Sequence, residues 1–260
     1  MSPHPDSSAD PNGRPAPLVL VHPDRDSVAT AAAARLLLTL CDTLAVREVA
    51  HVALTGGGLG SGVLAAAGRS PLVDLVDWSR VHLWWGDERY LPTGDPERND
   101  VQNRAALLDR LPLDPARVHP IAGPDRSADA EASAAAYAQE LRTHGGGLFD
   151  LVLLGMGPDG HVASLFPHHP AQRTTEAVAV AVHDSPKPPP DRVSLTFECL
   201  DRAREVWFLV GGADKAPAVC RALTPGAGRW DVPAAGVRGR ERTLWLLDVE
   251  AAGTLPAVTG

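Results

Sequence analysis

Short apolar runs alternate with longer alanine-rich segments along most of the 260-residue chain. The apolar runs are bounded by glycine, proline or charged residues, which is typical of buried strands, whereas the alanine-rich segments are typical of helices. The runs predict strands at 17–22, 51–54, 80–85, 118–121, 150–154, 178–182, 193–197, 205–210 and 243–247. The segments between them predict helices at 26–44, after 62, at 100–109, at 127–144 and from 215 to about 223.

The alternation of strand and helix predicts an α/β fold with a doubly wound, mainly parallel sheet flanked by helices. Asp26 or Ser27 is the expected N-cap of the first helix. No linker divides the chain, so residues 17–260 are predicted to form a single domain. Residues 1–16 are polar and proline-rich, and they are predicted to be a disordered tail rather than a signal peptide.

The composition limits the possible partners. The formal net charge is −8 and the sequence pI is about 5.6, so neither nucleic acid nor an anionic membrane is indicated as a partner. The apolar runs are interpreted as too short to cross a membrane. The three cysteines lie far apart in apolar surroundings, which favours a reducing compartment. We therefore expect a cytoplasmic protein, either a monomer or a small homo-oligomer.

The stretch 151–166, LVLLGMGPDGHVASLF, carries the clearest chemical signal. It reads as a buried strand that breaks into a glycine-rich turn, which is expected to open a helix. Histidine titrates near neutral pH, so His161 is a candidate general base that the Asp159 carboxylate could orient. The alternative is a plain strand-to-helix turn in which His161 is a solvated loop residue.

Four predicted strands end in glycine-bearing or charged loops. The carboxyl ends of parallel strands share one edge of the sheet, so these loops are expected to converge on one crevice. Together they would suit a phosphorylated, electrophilic small molecule. The loops are 55–62, 86–89, 155–161 and 211–215.

Loop 55–62 has the glycine content of a backbone phosphate cradle, but not the spacing of a nucleotide-binding motif. Arg89 suits bidentate anion recognition, with a salt bridge to Asp87 or Glu88 as the alternative. Lys215 starts a predicted helix and is a natural charge partner for a phosphate, with a solvated lysine in the first turn as the alternative, which the helix dipole slightly disfavours. Arg192 and the second lysine, Lys187, are either anion ligands or solvent-exposed.

Other chemistries are less well supported. A metal site at His161, His168 and His169 lacks a carboxylate or cysteine at ligand spacing, so no metal is predicted. Ser61 lacks the spaced first glycine of a hydrolase nucleophile elbow, which argues against a serine nucleophile.

The chain after about residue 17 resembles the 6-phosphogluconolactonases of the glucosamine-6-phosphate isomerase/6-phosphogluconolactonase superfamily. The number, order and spacing of the matching blocks make the resemblance specific. The blocks are LTGGG (54–58), WWGDERYLP (84–92) with Asn99, Asp100 and Asn103 downstream, FDLVLLGMGPDGHVASLFP (149–167), SPKPPPDRVSLT (185–196), VWFLVGGADKA (206–216) and WLLD (245–248).

The resemblance implies a Rossmann-like fold and hydrolysis of 6-phospho-D-glucono-1,5-lactone to 6-phosphogluconate, the second step of the oxidative pentose phosphate pathway. It implies that His161 activates water, that Asp87 and Asp159 line the site, and that no metal or organic cofactor is needed. It also implies a phosphate site formed by Gly56, Gly57, Arg89 and Lys215, with Arg192 a weaker candidate.

The phosphate loop departs from the family pattern, which usually reads Ser-Gly-Gly-Ser/Thr-Thr-Pro. Here residues 55–60 read Thr-Gly-Gly-Gly-Leu-Gly, so one hydroxyl and the proline are absent. A lost hydrogen bond to phosphate is worth about 1.5–3 kcal/mol if nothing replaces it. The departure therefore concerns substrate affinity more than the type of reaction.

Two rival functions remain. The isomerases and deaminases of the superfamily carry Asn-Glu-Pro soon after the Gly-His pair, whereas residues 162–167 read VASLFP and contain no carboxylate. A non-catalytic sugar-phosphate sensor is the second rival. A sensor has no need for a base, so the pair His161 and Asp159 argues against it.

Overall fold

The computed structural model describes residues 13–145, 148–253 and 255. Its main element is a six-stranded sheet in which every neighbouring pair is parallel, in the order β1-β9-β8-β5-β2-β3. The central strands consist mostly of buried apolar residues, as expected for a sheet that is covered on both faces. The six strands are β1 (Leu18–His22), β2 (Ala50–Leu54), β3 (Val81–Trp85), β5 (Leu151–Gly155), β8 (Glu205–Val210) and β9 (Arg242–Asp248).

Six α-helices accompany the sheet in the described residues, and several 3₁₀ turns join them to the strands. The alanine-rich face of the first helix packs on the second helix and on β9, which places small side chains where the helices approach closely. The helices are α1 (Arg25–Val46), α2 (Gly57–Ala67), α3 (Asn99–Ala106), α4 (Ala130–His144), α5 (Phe197–Leu200) and α6 (Ala216–Leu223).

A second, three-stranded antiparallel sheet lies beside the first, in the order β4-β7-β6. It consists of β4 (Asp87–Arg89), β6 (Ala179–Val182) and β7 (Arg192–Leu195). The charged segment 86–89 was expected to be a loop, but three of its residues form β4 and pair with β7. The predicted α/β fold with a mainly parallel sheet flanked by helices is confirmed, with this small sheet as an addition.

Three local predictions are wrong. Residues 156–166, directly after β5, contain no helix: Gly160 and Ala163 have φ of +92° and +48°, and a bridge between Val162 and Leu165 closes a tight turn. Residues 118–121 make only one bridge, Leu83 to Val118, because Pro120 cannot donate to a ladder. The N-cap of α1 is Asp24, whose carboxylate accepts a hydrogen bond from the Ser27 N–H at 2.7 Å.

The expectation about membrane-spanning length also needs correction. Helix α1 is long and apolar enough to cross a membrane by length and composition alone, since its best window has a mean hydropathy of 1.5. Half of that window is buried in the fold, where Val28, Leu36 and Leu37 join the core. The helix therefore serves as a core helix, and its hydropathy comes from alanine and leucine.

Of the predicted tail, only residues 13–16 are described, because residues 1–12 lie outside the described residues. Arg14 donates hydrogen bonds to the Asp201 carboxylate and to the Arg238 carbonyl, both at 3.0 Å. The end of the predicted tail is thus attached to the folded body. None of the three cysteines forms a disulfide.

Candidate active site

The four predicted loops meet in one cavity at the carboxyl edge of the parallel sheet. The cavity has a volume of about 190 Å³, below the ~300–1,000 Å³ typical of drug-sized ligands, and it suits one small polar molecule better than a dinucleotide. Its lining combines glycine backbone with charged side chains. The lining residues are Thr55, Gly56, Gly57, Asp87, Arg89, Asn99, Gly155, Met156, Gly157, His161, Ala163, Lys187, Arg192 and Lys215.

His161 and Asp159 form a close pair at one wall of the cavity. The Nδ1 atom of His161 lies 2.6 Å from Oδ1 of Asp159. Burial raises the pKa of Asp159, but the hydrogen bond and charge of His161 outweigh it and hold that pKa at about 2. Asp159 is therefore ionised at neutral pH and accepts a hydrogen bond from the Nδ1–H group of His161. A neutral imidazole then keeps its lone pair on Nε2, as a general base requires.

The backbone of the loop fixes this pair. Gly157 donates its N–H to the His161 carbonyl at 3.0 Å, and Gly160 donates to the Gly157 carbonyl at 2.9 Å. A Cβ on Gly157 would lie 2.1 Å from the Cε1 and Nδ1 atoms of His161, so only glycine leaves room for the ring. The Phe166 ring packs against the imidazole at a tilt of 41°, with the two centroids 4.5 Å apart.

Asp87 occupies a second wall, at the start of β4. Its Oδ2 atom accepts a hydrogen bond from the Ser164 hydroxyl at 2.6 Å, and its Oδ1 lies 3.3 Å from Asn99 Nδ2. The Arg192 guanidinium lies 3.9 Å from the same carboxylate. Three elements therefore hold Asp87, which has a fixed orientation toward the cavity.

The cavity is rich in cations. Lys215 follows β8 and pairs with Asp214 at 3.0 Å, while Lys187 projects from the proline-rich loop. Burial lowers the pKa of Lys187, and the charges of Lys215 and Arg192 lower it further, against the opposing charge of Asp159. This concentration of positive charge attracts an anion.

The two arginines are held differently. Arg89 donates through Nη1 to the Glu97 carbonyl, and its buried Nε has no partner among the described residues. Arg89 does not make the salt bridge with Asp87 or Glu88 that was considered as an alternative. Arg192 is 5% exposed and donates to the carbonyls of Lys187, Pro188 and Pro189, so its main role in the fold is to brace that loop.

The glycine-rich loop after β2 is shorter than predicted, because α2 already begins at Gly57. Gly57 has a φ of +75°, and Gly56 is the N-cap without a side-chain hydrogen bond. A Cβ on Gly56 would lie 1.8 Å from Asn99 Oδ1, which explains the glycine. The first N–H groups of α2 thus remain available at the cavity, where the helix dipole favours an anion.

Seven predicted site residues line the cavity: Gly56, Gly57, Asp87, Arg89, His161, Arg192 and Lys215. Asp159 is not among the lining residues, but it contacts His161, which is. Sequence reasoning missed the part played by Asn99, Gly157 and Ser164. The sequence did contain one signal for a role of Ser164 in the site: this serine lies only three residues after His161. Asn99 has no local signal, since its place depends on Glu88, which accepts the Asn99 N–H at 2.7 Å and fixes the start of α3.

Together, the fold and the cavity indicate the class of protein: an enzyme that acts on a sugar phosphate. The family model described as "Glucosamine-6-phosphate isomerases/6-phosphogluconolactonase" matches residues 23–245. The chain belongs to this family.

Relatives from several organisms carry the name of one branch of the family. A 6-phosphogluconolactonase of Streptomyces coelicolor is 57% identical over 249 residues, which cover 92% of this chain and 95% of that protein. A 6-phosphogluconolactonase of Mycobacterium tuberculosis is 46% identical, covering 91% of this chain and 98% of the relative. A chloroplastic 6-phosphogluconolactonase of Arabidopsis thaliana is 34% identical, with coverage of 85% and 70%.

Solved structures agree with the fold. The structure of 6-phosphogluconolactonase from Trypanosoma brucei is 28% identical, has a TM-score of 0.81, and covers 92% of this chain and 99% of its own. The structure of a monomeric glucosamine-6-phosphate deaminase also matches, with a TM-score of 0.77 at 21% identity. That second likeness concerns the fold alone.

Proposed function

We propose that this protein hydrolyses 6-phospho-D-glucono-1,5-lactone to 6-phospho-D-gluconate, the second step of the oxidative pentose phosphate pathway. The observation that carries the proposal is the His161–Asp159 pair in the wall of a cation-lined cavity at the carboxyl edge of the sheet. The pair supplies a base, and the cations supply the phosphate site. The lactonase names of the similar proteins support the same activity.

The reaction begins with proton removal from a water molecule. Nε2 of His161 takes the proton as the water oxygen attacks the lactone carbonyl carbon, and a tetrahedral intermediate forms. Asp159 stabilises the resulting imidazolium because it accepts the Nδ1–H at 2.6 Å. The ring C–O bond then breaks, His161 returns the proton to the leaving oxygen, and the open-chain acid is formed.

The phosphate is held at the side of the cavity where two loops meet. The N–H groups at the start of α2 and the Lys215 ammonium bind its oxygens, and Arg89 adds a guanidinium. These donors compensate for the hydroxyl that loop 55–60 lacks relative to the usual family pattern. Arg192 contributes mainly by positioning Lys187 and Asp87, through its bonds to the loop carbonyls and its charge.

Lactone hydrolysis is favoured over the isomerase chemistry by the segment after His161. Isomerisation requires groups for ring opening and for proton transfer at C2, whereas this segment forms a turn whose serine is committed to Asp87. Residues 162–167 contain no carboxylate. An activated ester needs only a positioned water, a base and donors for the developing oxyanion.

The remaining predictions belong to the same proposal. Residues 17–260 form one catalytic domain that needs no metal or organic cofactor for the reaction and acts as a monomer or small homo-oligomer. Its partner is the small sugar phosphate rather than nucleic acid or a membrane. The proposed location is the cytoplasm, although the plant relatives are named as chloroplastic proteins.

A direct assay of substrate choice tests the function. Freshly prepared 6-phosphogluconolactone and glucosamine 6-phosphate are given separately to the purified protein, and the rate of spontaneous lactone hydrolysis is subtracted. We expect rapid turnover of the lactone and none of glucosamine 6-phosphate. Turnover of the amino sugar alone would replace the proposal with a deaminase, and turnover of neither would favour a sensor.

A further inference from the structure

A cluster of histidines lies at the opposite edge of the sheet from the active site. His51 and His82 are the second residues of β2 and β3, so they lie at the amino ends of strands whose carboxyl ends reach the cavity. Their rings stack with centroids 4.4 Å apart, and the His82 and His119 rings stack at 5.2 Å. The reaction proposed above uses none of these groups.

The outer part of this cluster brings three ligand atoms together. Oε1 of Glu140 lies 3.0 Å from Nδ1 of His119 and 3.6 Å from Nε2 of His144. All three atoms lie within 4.8 Å of one another. Ligand atoms at the corners of a tetrahedral zinc site are about 3.3 Å apart when the bonds are 2.0–2.1 Å long. The two separations from Glu140 therefore lie on either side of the value for a three-ligand site, and the third is at most 4.8 Å.

We propose that His119, Glu140 and His144 bind a divalent transition-metal ion of the Zn²⁺ type. Two imidazoles and one carboxylate form a donor set that suits Zn²⁺ and does not suit the oxygen-seeking Mg²⁺ or Ca²⁺. Three protein ligands leave the fourth tetrahedral position to water. The proposal is independent of the lactonase function, because the site lies at the other edge of the sheet.

The local geometry favours this site in two ways. Glu140 and His144 are four residues apart on α4, so they lie on one face of the helix. His144 also lies in the last turn of α4, where the helix dipole favours a cation. His119 is 2% exposed and fixed, whereas the side chains of Glu140 and His144 are 48% and 36% exposed. The two exposed ligands can therefore close on an ion that His119 anchors.

A neighbouring histidine supports the anchor. Nδ1 of His82 lies 2.9 Å from Nε2 of His119. When Nδ1 of His119 binds the ion, its Nε2–H donates to His82, which is the outer hydrogen bond that orients most metal-binding histidines. His82 can donate or accept at that atom, so the same bond persists with and without metal.

Calorimetry with the metal alone tests the proposal. Tag-free protein is stripped of metal with a chelator and titrated with Zn²⁺. We expect one specific equivalent, with affinity at least tenfold weaker in His144→Ala and in Glu140→Gln. Both positions are exposed and lie outside the active site, so lactone turnover and circular dichroism should remain unchanged and should show that the variants fold.

Matched variants separate this site from the other histidines. His161→Ala removes the active-site imidazole, and His168→Ala removes an exposed histidine elsewhere; both should keep the zinc equivalent. An anomalous scattering peak within about 2.2 Å of His119 Nδ1, in crystals grown with Zn²⁺, would confirm the location. No zinc binding, binding unchanged in His144→Ala and Glu140→Gln, or binding lost in His161→Ala would overturn the proposal.

Discussion

Asp159 and His161 are separated by one glycine and joined by a hydrogen bond of 2.6 Å between Oδ1 and Nδ1. The contact requires a loop that turns back on itself, and the positive φ of Gly160 provides that turn. Because the Asp159 carboxylate is ionised, it fixes the imidazole tautomer and ring direction together. In the proposed mechanism, the short sequence Asp-Gly-His therefore supplies a base together with its orienting group.

Asp159→Asn tests the orienting role. An amide no longer stabilises the imidazolium, and it can turn its NH₂ toward Nδ1 and favour the wrong tautomer. We expect kcat to fall by about 10²–10⁴-fold with KM little changed. Steady-state kinetics on the lactone measure both parameters. Asp231→Asn, next to the exposed His168, is the matched control, and a kcat within threefold of wild type for Asp159→Asn would remove Asp159 from the mechanism.

Gly157→Ala tests the space under the imidazole. The new Cβ would overlap the Cε1 and Nδ1 atoms of His161, so the ring must move away from Asp159. We expect at least a tenfold loss of kcat, because displacement of a base by about 1 Å is costly. Gly62→Ala in α2 is the control, since its Cβ would meet Ala29 at an ordinary 3.6 Å. Equal activity of both variants would contradict the account.

Lys215→Ala tests the phosphate site. Loss of a charge-assisted hydrogen bond worth about 1.5–3 kcal/mol corresponds to a rise in KM of about 10–150-fold, with kcat nearly constant. Asp214→Asn frees Lys215 from its ion pair and should leave KM unchanged or lower it. An unchanged KM in Lys215→Ala would show that this lysine is only a surface charge.

His183 makes stability depend on pH. Its hydrogen bonds to Glu131 and Asp191, both 2.7 Å, raise its pKa. A folded pKa above the unfolded value of about 6.5 gives stability that is fully present below pH 6.5 and lost as pH rises through the folded pKa.

His183→Gln should therefore lower the free energy of unfolding at pH 5.5 and leave it unchanged at pH 9. The side chain is 48% exposed, so the loss should not exceed about 1 kcal/mol. Urea denaturation at the two pH values measures the difference. Equal losses at both would show that His183 contributes packing rather than charge.

The convergence of the four loops was predictable because it depends only on strand direction. Parallel strands place their carboxyl ends at one edge, and the residues that follow β2, β3, β5 and β8 include Gly56, Asp87, His161 and Lys215. Their residue types indicated a phosphate and a base without knowledge of any contact. The structure brings these residues to one cavity.

The remaining parts of the site depend on long-range contacts that no local pattern contains. Ser164 meets Asp87 across 77 positions of sequence. The segment after the 155–161 turn was predicted to be helical, since an apolar pattern follows the turn, but the positive φ of Ala163 and the contacts of Ser164 give a second turn instead. The sequence suggested Glu88 only as a possible salt-bridge partner of Arg89, yet Glu88 is 1% exposed and accepts the first N–H groups of α3.

His161→Ala tests the central claim most directly. Lactone turnover, corrected for spontaneous hydrolysis, and the binding of 6-phosphogluconate by calorimetry are measured on the same preparation. The account predicts that turnover falls to about 10⁻² of wild type or below while the product still binds, because the phosphate site does not include His161. Wild-type turnover in His161→Ala would contradict it.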